Sequence, residues 1–329
     1  MKIKPHKARG RFYNHPQDSL TRHIKSVLGT LIHIIKKKCK PRHTKKPFFN
    51  PDFKMHDWVE YRQPLPASHK PTITWLGHAT FLIQIGGINI LTDPLFFNIS
   101  GFLRRIIPTP VSLDQLPPID VIILSHNHQD HMDTKSLEIL KRFDPLILVP
   151  LGDKKWFDRR NFKRVIENDW WAIESVTKNN EQVNFHFLPA SHWTGRGPFD
   201  INKSLWGSWL IEHDGFKIYF AGDSAYAAHY QLIAQEHPAI QVALMPIAPN
   251  EPDAFMRGSH LSTQEAIQAF HELQAKHFIP MHWGTFKFGI DSFHDPITQL
   301  TTHWDAAGYN PQERILHIVK CGQAKKFSS

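Results

Sequence analysis

The sequence predicts an α/β fold: two mixed sheets packed together with helices outside. Three observations predict it. Short runs rich in β-branched and aromatic residues recur from Thr72 to Met281, each about the length of one strand. Strands come first, then strands and helices alternate, and that order repeats once along the chain. Finally, 41% of the 329 residues are apolar, with 10 Trp and 23 Phe, enough for a large core.

Taken in order, residues 1–18 read as a flexible basic tail. Leu20, Ile24, Val27, Leu28, Leu31, Ile34 and Ile35 then recur at helical spacing, with Arg22, Lys25 and Lys36–Lys38 around them. This predicts a basic amphipathic helix over residues 19–38. Its longest nearly uncharged run, Val27–Ile35, is too short to span a bilayer. No small-residue cleavage site follows, so it makes a poor signal peptide. Residues 40–71, rich in Pro and Lys, read as an irregular wrap. Residues 1–50 hold 14 Lys/Arg and one acid, Asp18, a net +13, so the rest of a chain of net +9 carries −4. The basicity belongs to an arm, residues 1–46, and the body, 47–329, is mildly acidic. That excludes a nucleic-acid surface spread over the domain and predicts an arm that meets something anionic.

In the body, Thr72–Leu76 and Phe81–Ile85 read as strands, and Gly86-Gly87 turns the chain into Ile88–Leu91. Thr92-Asp93-Pro94 closes that unit, and a long loop, Leu95–Pro118, carries Arg104 and Arg105. Val121–Leu124 is a buried strand running into S-H-N-H-Q-D-H, and a helix near Thr134–Phe143 and a strand Leu146–Val149 follow. Val183–Leu188 leads to Ser191-His192. Leu205–Glu212 and Lys217–Ala221 pair about Asp214-Gly215 and run into Gly222-Asp223. Val242–Pro246 leads to a loop ending at His260. Ser262 with Glu265 forms a capping box, and His277–Met281 ends at His282. Two distant cysteines, Cys39 and Cys321, suggest neither a disulfide scaffold nor a Cys-rich metal site and fit a reducing, cytoplasmic setting.

The chemistry gathers where strands end. His126, His128, Asp130 and His131 fall within six positions after one strand; His192, Asp223 and His282 follow three others. Imidazole and carboxylate are good ligands for divalent cations, and histidine binds in its neutral form. Alone, His192 or His282 reads as an ordinary core or surface histidine, and Asp223 as a turn residue. The joint pattern predicts a metal site.

Together with W-L-G-H-A-T (75–80), L-T-D-P (91–94), L-P-P-I-D (116–120), P-A-S-H-W (189–193), L-W-G-S-W (205–209), F-A-G-D (220–223), E-P-x-x-F-M (251–256) and H-W-G-T-F (282–286), this pattern resembles the metallo-β-lactamase superfamily. Within it the chain is similar to the N-acyl-phosphatidylethanolamine-hydrolysing phospholipases D and their bacterial relatives, over roughly residues 70–290. The resemblance implies a four-layer αβ/βα sandwich and a hydrolase domain over 47–329. It implies two Zn²⁺ per chain, with Mn²⁺ or Fe²⁺ as alternatives. It makes His126, His128 and His192 ligands of one ion and Asp130, His131 and His282 ligands of the other. Asp223 becomes the carboxylate between them. His260 stands beside the metals and contacts substrate phosphate, and Asp130 or His260 handles a proton. His78 and Asp93 support the ligands from the first sheet.

The implied reaction is hydrolysis of a phospholipid phosphodiester at an anionic membrane, the enzyme held peripherally through residues 19–38. A small soluble ester or lactone is the alternative substrate, a metal-binding scaffold without turnover the alternative class, and packing on the enzyme's own body or homodimerisation the alternative uses of the helix stripe. The chain departs from the family at Gln129, where the human-type enzyme has Tyr. It departs again at Ile99–Pro110, which replaces two family elements and is expected to shape the substrate entrance.

Overall fold

The computed structural model describes residues 3–14, 47–61, 68–99, 103–251 and 256–328; the amphipathic helix expected over 19–38 lies outside them. The first described segment is not a loose tail. It forms a hairpin of β1 (His6–Ala8) and β2 (Arg11–Tyr13), closed by Arg9-Gly10. Phe12 and Tyr13 are buried, and Phe12 N–H donates to Asn202 O at 2.8 Å. The basic composition hid this element, because the lysines stay at the surface while two aromatic side chains carry the packing. Residues 47–61 wrap irregularly, with Phe48, Phe53 and Trp58 against Phe293.

The first seven-stranded sheet starts with the antiparallel strands β3 (Thr72–Gly77), β4 (Thr80–Ile85) and β5 (Ile88–Thr92). It continues in parallel through β6 (Val121–Ile123), β7 (Leu146–Pro150) and β8 (Val165–Asn168). The second sheet repeats the plan. The antiparallel strands β9 (Ile173–Lys178), β10 (Glu181–Leu188), β11 (Ser208–His213) and β12 (Phe216–Phe220) are followed in parallel by β13 (Val242–Pro246), β14 (His277–Met281) and β15 (Ile315–Leu316). The last strand, β16 (Ala324–Lys326), returns to pair with β3. The expected architecture is therefore the observed one.

The pleat shows why the apolar runs are continuous. Ile73, Trp75, Phe81, Ile83, Ile90, Val121, Ile123 and Leu148 join Phe185, Phe187, Trp209, Ile211 and Phe220 in the core between the sheets. Their neighbours Leu82, Leu91, Ile122, Leu124, Ile147 and Val149 point to the other face, against Leu137 and Leu140 of the helix Thr134–Leu140 and Phe157 of the helix Lys154–Asp158. Strands buried on both faces need apolar residues at every position. Three longer helices, His229–Glu236, Thr263–Glu272 and Asp295–Ala307, add Ile233, Phe270 and Leu300 to the core on the side of the second sheet.

The strand expected from Leu205 starts at Ser208. Leu205 N–H instead donates to Leu151 O and Gly207 N–H to Ser125 O, both at 2.8–2.9 Å, tying this stretch to the first sheet. β8, β9, β15, β16 and the helices at 154, 229 and 295 were not anticipated. β9 buries no residue and β16 pairs with a strand some 250 positions away, so local periodicity carries little sign of either.

Candidate metal centre

Every expected ligand leaves the carboxyl end of a strand, and the register sets those ends side by side. Leu91 pairs with Ile122, Phe220 with Leu244 and Pro246 with Met281. The loops beyond them bring His126, His128, Asp130, His131, His192, Asp223 and His282 together in two groups, with His260 alongside.

In the first group, His126 Nε2 lies 2.8 Å from His128 Nδ1, which lies 3.3 Å from His192 Nε2. In the second, His131 Nε2 is 3.3 Å from Asp130 Oδ2 and 3.2 Å from Asp223 Oδ2; His282 Nε2 is 3.2 Å from Asp223 Oδ1. Asp223 stands between the groups, its Oδ2 also 3.9 Å from His192 Nε2. His131 Nε2, His282 Nε2, Asp223 Oδ1 and His260 Nδ1 are buried yet make no hydrogen bond of good geometry. Buried polar atoms left so are costly unless something binds them. Donors at 2.0–2.1 Å from a tetrahedral ion stand about 3.3 Å apart, which matches these spacings. The residues fit two divalent cations.

The protonation pattern agrees. Burial, with neighbouring imidazoles, holds His126 well below its ordinary value, His128 at about 4 and His192 at about 3, so all three offer lone pairs at neutral pH. Burial works against charge at His131 and His282 too, but the Asp223 and Asp130 carboxylates together outweigh it. His131 is held well above the usual range and His282 at about 9. The second group thus gathers positive charge around its carboxylates, the charge a cation would supply in its place. Asp130 and Asp223 stay ionised because the charges and hydrogen bonds of His131 and His282, with His78 at Asp130, together outweigh burial.

Four of the ligands are aimed by a partner behind them. His131 Nδ1 donates to Asp93 Oδ2 at 2.7 Å, and Asp93 accepts from Ser125 N–H at 2.7 Å. His192 Nδ1 donates to Ser259 O at 2.8 Å, His282 Nδ1 to Ala248 O at 2.9 Å, and His78 Nε2 to Asp130 Oδ2 at 3.0 Å. His78 and Asp93, expected to support the ligands, thus lie directly behind them. Residues His78, Asp93 and His282 all have positive φ, at 54°, 33° and 64°. Such backbone strain gathers at functional sites.

No local pattern singles out three other groups. Arg196 donates to Asn127 O at 3.0 Å and Met132 O at 2.7 Å, pinning the metal loop. Asp153, buried, accepts from Asn127 Nδ2 at 2.9 Å. Asn14 holds the backbone of His192. All three act on main chain or through one another from distant loops, which no local motif records.

The centre opens into a cavity of about 310 Å³ lined by Asp130, Asp223 and His260 together with the apolar Trp193, Met256 and Phe288. Behind Phe288, Ile99 and Leu103 of the long loop pack with Leu95 and Phe286, so that loop backs one wall of the entrance.

Comparison with known proteins follows the geometry. The model of the β-lactamase superfamily domain matches residues 88–283. The N-acyl-phosphatidylethanolamine-hydrolyzing phospholipase D, mitochondrial, of Saccharomyces cerevisiae is 37% identical over 69% of this chain and 50% of its own length. The N-acyl-phosphatidylethanolamine-hydrolyzing phospholipase D 1 of Caenorhabditis elegans is 31% identical over 71% of this chain and 69% of its own. The chain thus spans about half the length of the yeast relative. Among solved structures, a metallo hydrolase of the archaeon Ignicoccus hospitalis superposes with a TM-score of 0.60 at 20% identity, over 79% of this chain and 99% of its own; it shares the fold.

Proposed function

Because this chain belongs to the metallo-β-lactamase superfamily, we propose that it is a metal-dependent hydrolase, a zinc phosphodiesterase of the phospholipase D type. Its substrate is an N-acyl-phosphatidylethanolamine or a related phospholipid. The observation that carries this is the pair of donor groups that meet at Asp223 in the wall of a partly apolar cavity. Two divalent cations at such a pair supply an activated water and polarise a phosphoryl oxygen.

The chain's own residues do the rest. His260, held neutral at about 3 chiefly by burial, stands 3.6 Å from Asp223 and can offer an N–H to a phosphate oxygen. Asp130, ionised and braced by His78, can take the proton of the attacking water. The water oxygen bonds to phosphorus, the bond from phosphorus to the leaving oxygen breaks, and that oxygen takes up a proton. Phosphatidate and an N-acylethanolamine result. A cavity of about 310 Å³ admits the phosphate and ethanolamine portion and leaves the acyl chains on glycerol and nitrogen largely outside, which suits a substrate still seated in a membrane.

The basic arm fits the same picture. Asn14, just before the segment 15–46, touches His192, and Phe48, just after it, lies with His282 and Phe288 around an adjoining hollow. A segment leaving and rejoining the body beside the site would bring the cavity towards an anionic bilayer. The enzyme is then cytoplasmic and peripheral. No described helix is long and apolar enough to cross a membrane.

The test presents the full chain with N-acyl-phosphatidylethanolamine in micelles and with monomeric esters and lactones, before and after chelation. We expect phosphatidate and N-acylethanolamine from micelles, lost with metal and restored by Zn²⁺. Turnover of soluble esters alone would overturn the lipid substrate; no turnover by protein carrying both ions would overturn the enzyme.

A further inference from the structure

We propose that Asn14 is a positioning residue for the metal ligand His192, so that the N-terminal hairpin is a working part of the centre. The inference rests on the metal-centre reading above. Asn14 Nδ2 donates to His192 O at 2.8 Å, and His192 N–H donates to Asn14 Oδ1 at 3.1 Å. One side-chain amide thus holds both the N–H and the C=O of one residue, as a neighbouring strand would. The same Oδ1 also accepts from Trp206 Nε1 at 3.1 Å, and Trp206 is fully buried.

His192 needs this support. It follows β10 by four positions, outside the ladder, and its ring is fixed by one bond, from Nδ1 to Ser259 O. The preceding residue is held from the other side, where Ser191 N–H donates to Ser224 Oγ and Ser191 O accepts from Ala225 N–H. Asn14 closes the remaining side. The hairpin carrying it is anchored through buried Phe12, through the Phe12–Asn202 backbone bond, through Arg11 to Ile201 O and through Trp171 Nε1 to Ile3 O at 2.6 Å. Only an amide can both donate and accept here; a carboxylate of the same shape cannot donate to His192 O.

The test uses the full chain loaded with metal, in the native form and as Asn14→Asp and Asn14→Ala. Metal lost to a chelator is followed by elemental analysis, Co²⁺ reconstitution by its visible absorption, and unfolding by calorimetry on the metal-free proteins. We expect one of the two ions to bind about 10- to 100-fold more weakly in both variants, the usual consequence of losing a partner behind a ligand. The Co²⁺ band of the all-histidine group should shift while the metal-free Tm stays put. Equal weakening of both ions with a lowered Tm would make Asn14 merely structural, and unchanged affinities would overturn the proposal. A native chain that holds no divalent ion would instead overturn the metal centre itself.

Discussion

At the residue scale, Asp223 carries the most. Its two oxygens face His282 on one side and His131 on the other, with His192 and His260 within 3.9 Å. Asp223→Asn keeps the shape and removes the charge between the two donor groups. We expect kcat to fall at least about 100-fold, as misplaced reacting groups do, with the fold retained by circular dichroism. His260→Ala should keep both ions by elemental analysis and lose rate; loss of an ion would make His260 a ligand. Asp153 supports a prediction of pH dependence. Burial, despite its hydrogen bonds and the charge of Arg196, pushes its carboxyl up to about 7 from an ordinary 3.8. A group whose folded pKa is raised binds its proton more tightly folded than unfolded. Its contribution is therefore fully present below about 4 and is lost as pH rises through about 7. The span amounts to something on the order of 4 kcal/mol. In Asp153→Asn this loss should vanish: unfolding curves from pH 4 to pH 8 should gain stability over the native chain only at the upper end.

At the scale of elements, the turn after β12 shows how close the two sheets approach. Gly222 sits at φ +58°, and a Cβ there would stand 2.4 Å from Ser125 Cβ, on the metal loop. Gly222→Ala should therefore push Asp223 away from its partners. Overpacking of this kind typically costs about 1–3 kcal/mol, with strain at positive φ in addition. We expect a lower Tm together with lost metal, and an unchanged Tm would mean the turn relaxes freely. The helix Thr263–Glu272 shows the reverse case, an element legible in four residues. Ser262 and Glu265 form the capping box as read, and Glu265 also binds Arg257 at 2.8 Å, holding both ends of the stretch that carries His260. β9 and β16 were not legible, because an exposed edge strand and a closing strand take their partners from remote chain.

At the scale of the whole molecule, the hairpin of residues 6–13 changes how the arm must be tested. Removing residues 1–40 would take Asn14 with the basic stretch 19–38 and confuse docking with loss of metal. Replacing residues 15–46 by a flexible linker separates them. We expect that variant to keep both ions and its turnover of detergent-dispersed substrate. It should lose sedimentation with anionic vesicles, and in the native chain that sedimentation should weaken as salt rises towards 1 M. A native chain that ignores vesicles at low salt would sink the membrane reading.

The sequence by itself determined ten of the fourteen strands of the two sheets, the capping box and the seven donor-type residues at strand ends. It could do so because continuous apolar runs and strand-end chemistry are written in neighbouring residues. It also placed the positive charge in the arm, because charge is simply counted along the chain. Only the tertiary structure decided which donors face one another, that Asp223 lies between the two groups, and that Arg196, Asp153 and Asn14 brace the loops. The contacts of Arg196, and of Asn14 with His192 178 positions away, run through backbone groups, which every residue has and no sequence pattern distinguishes.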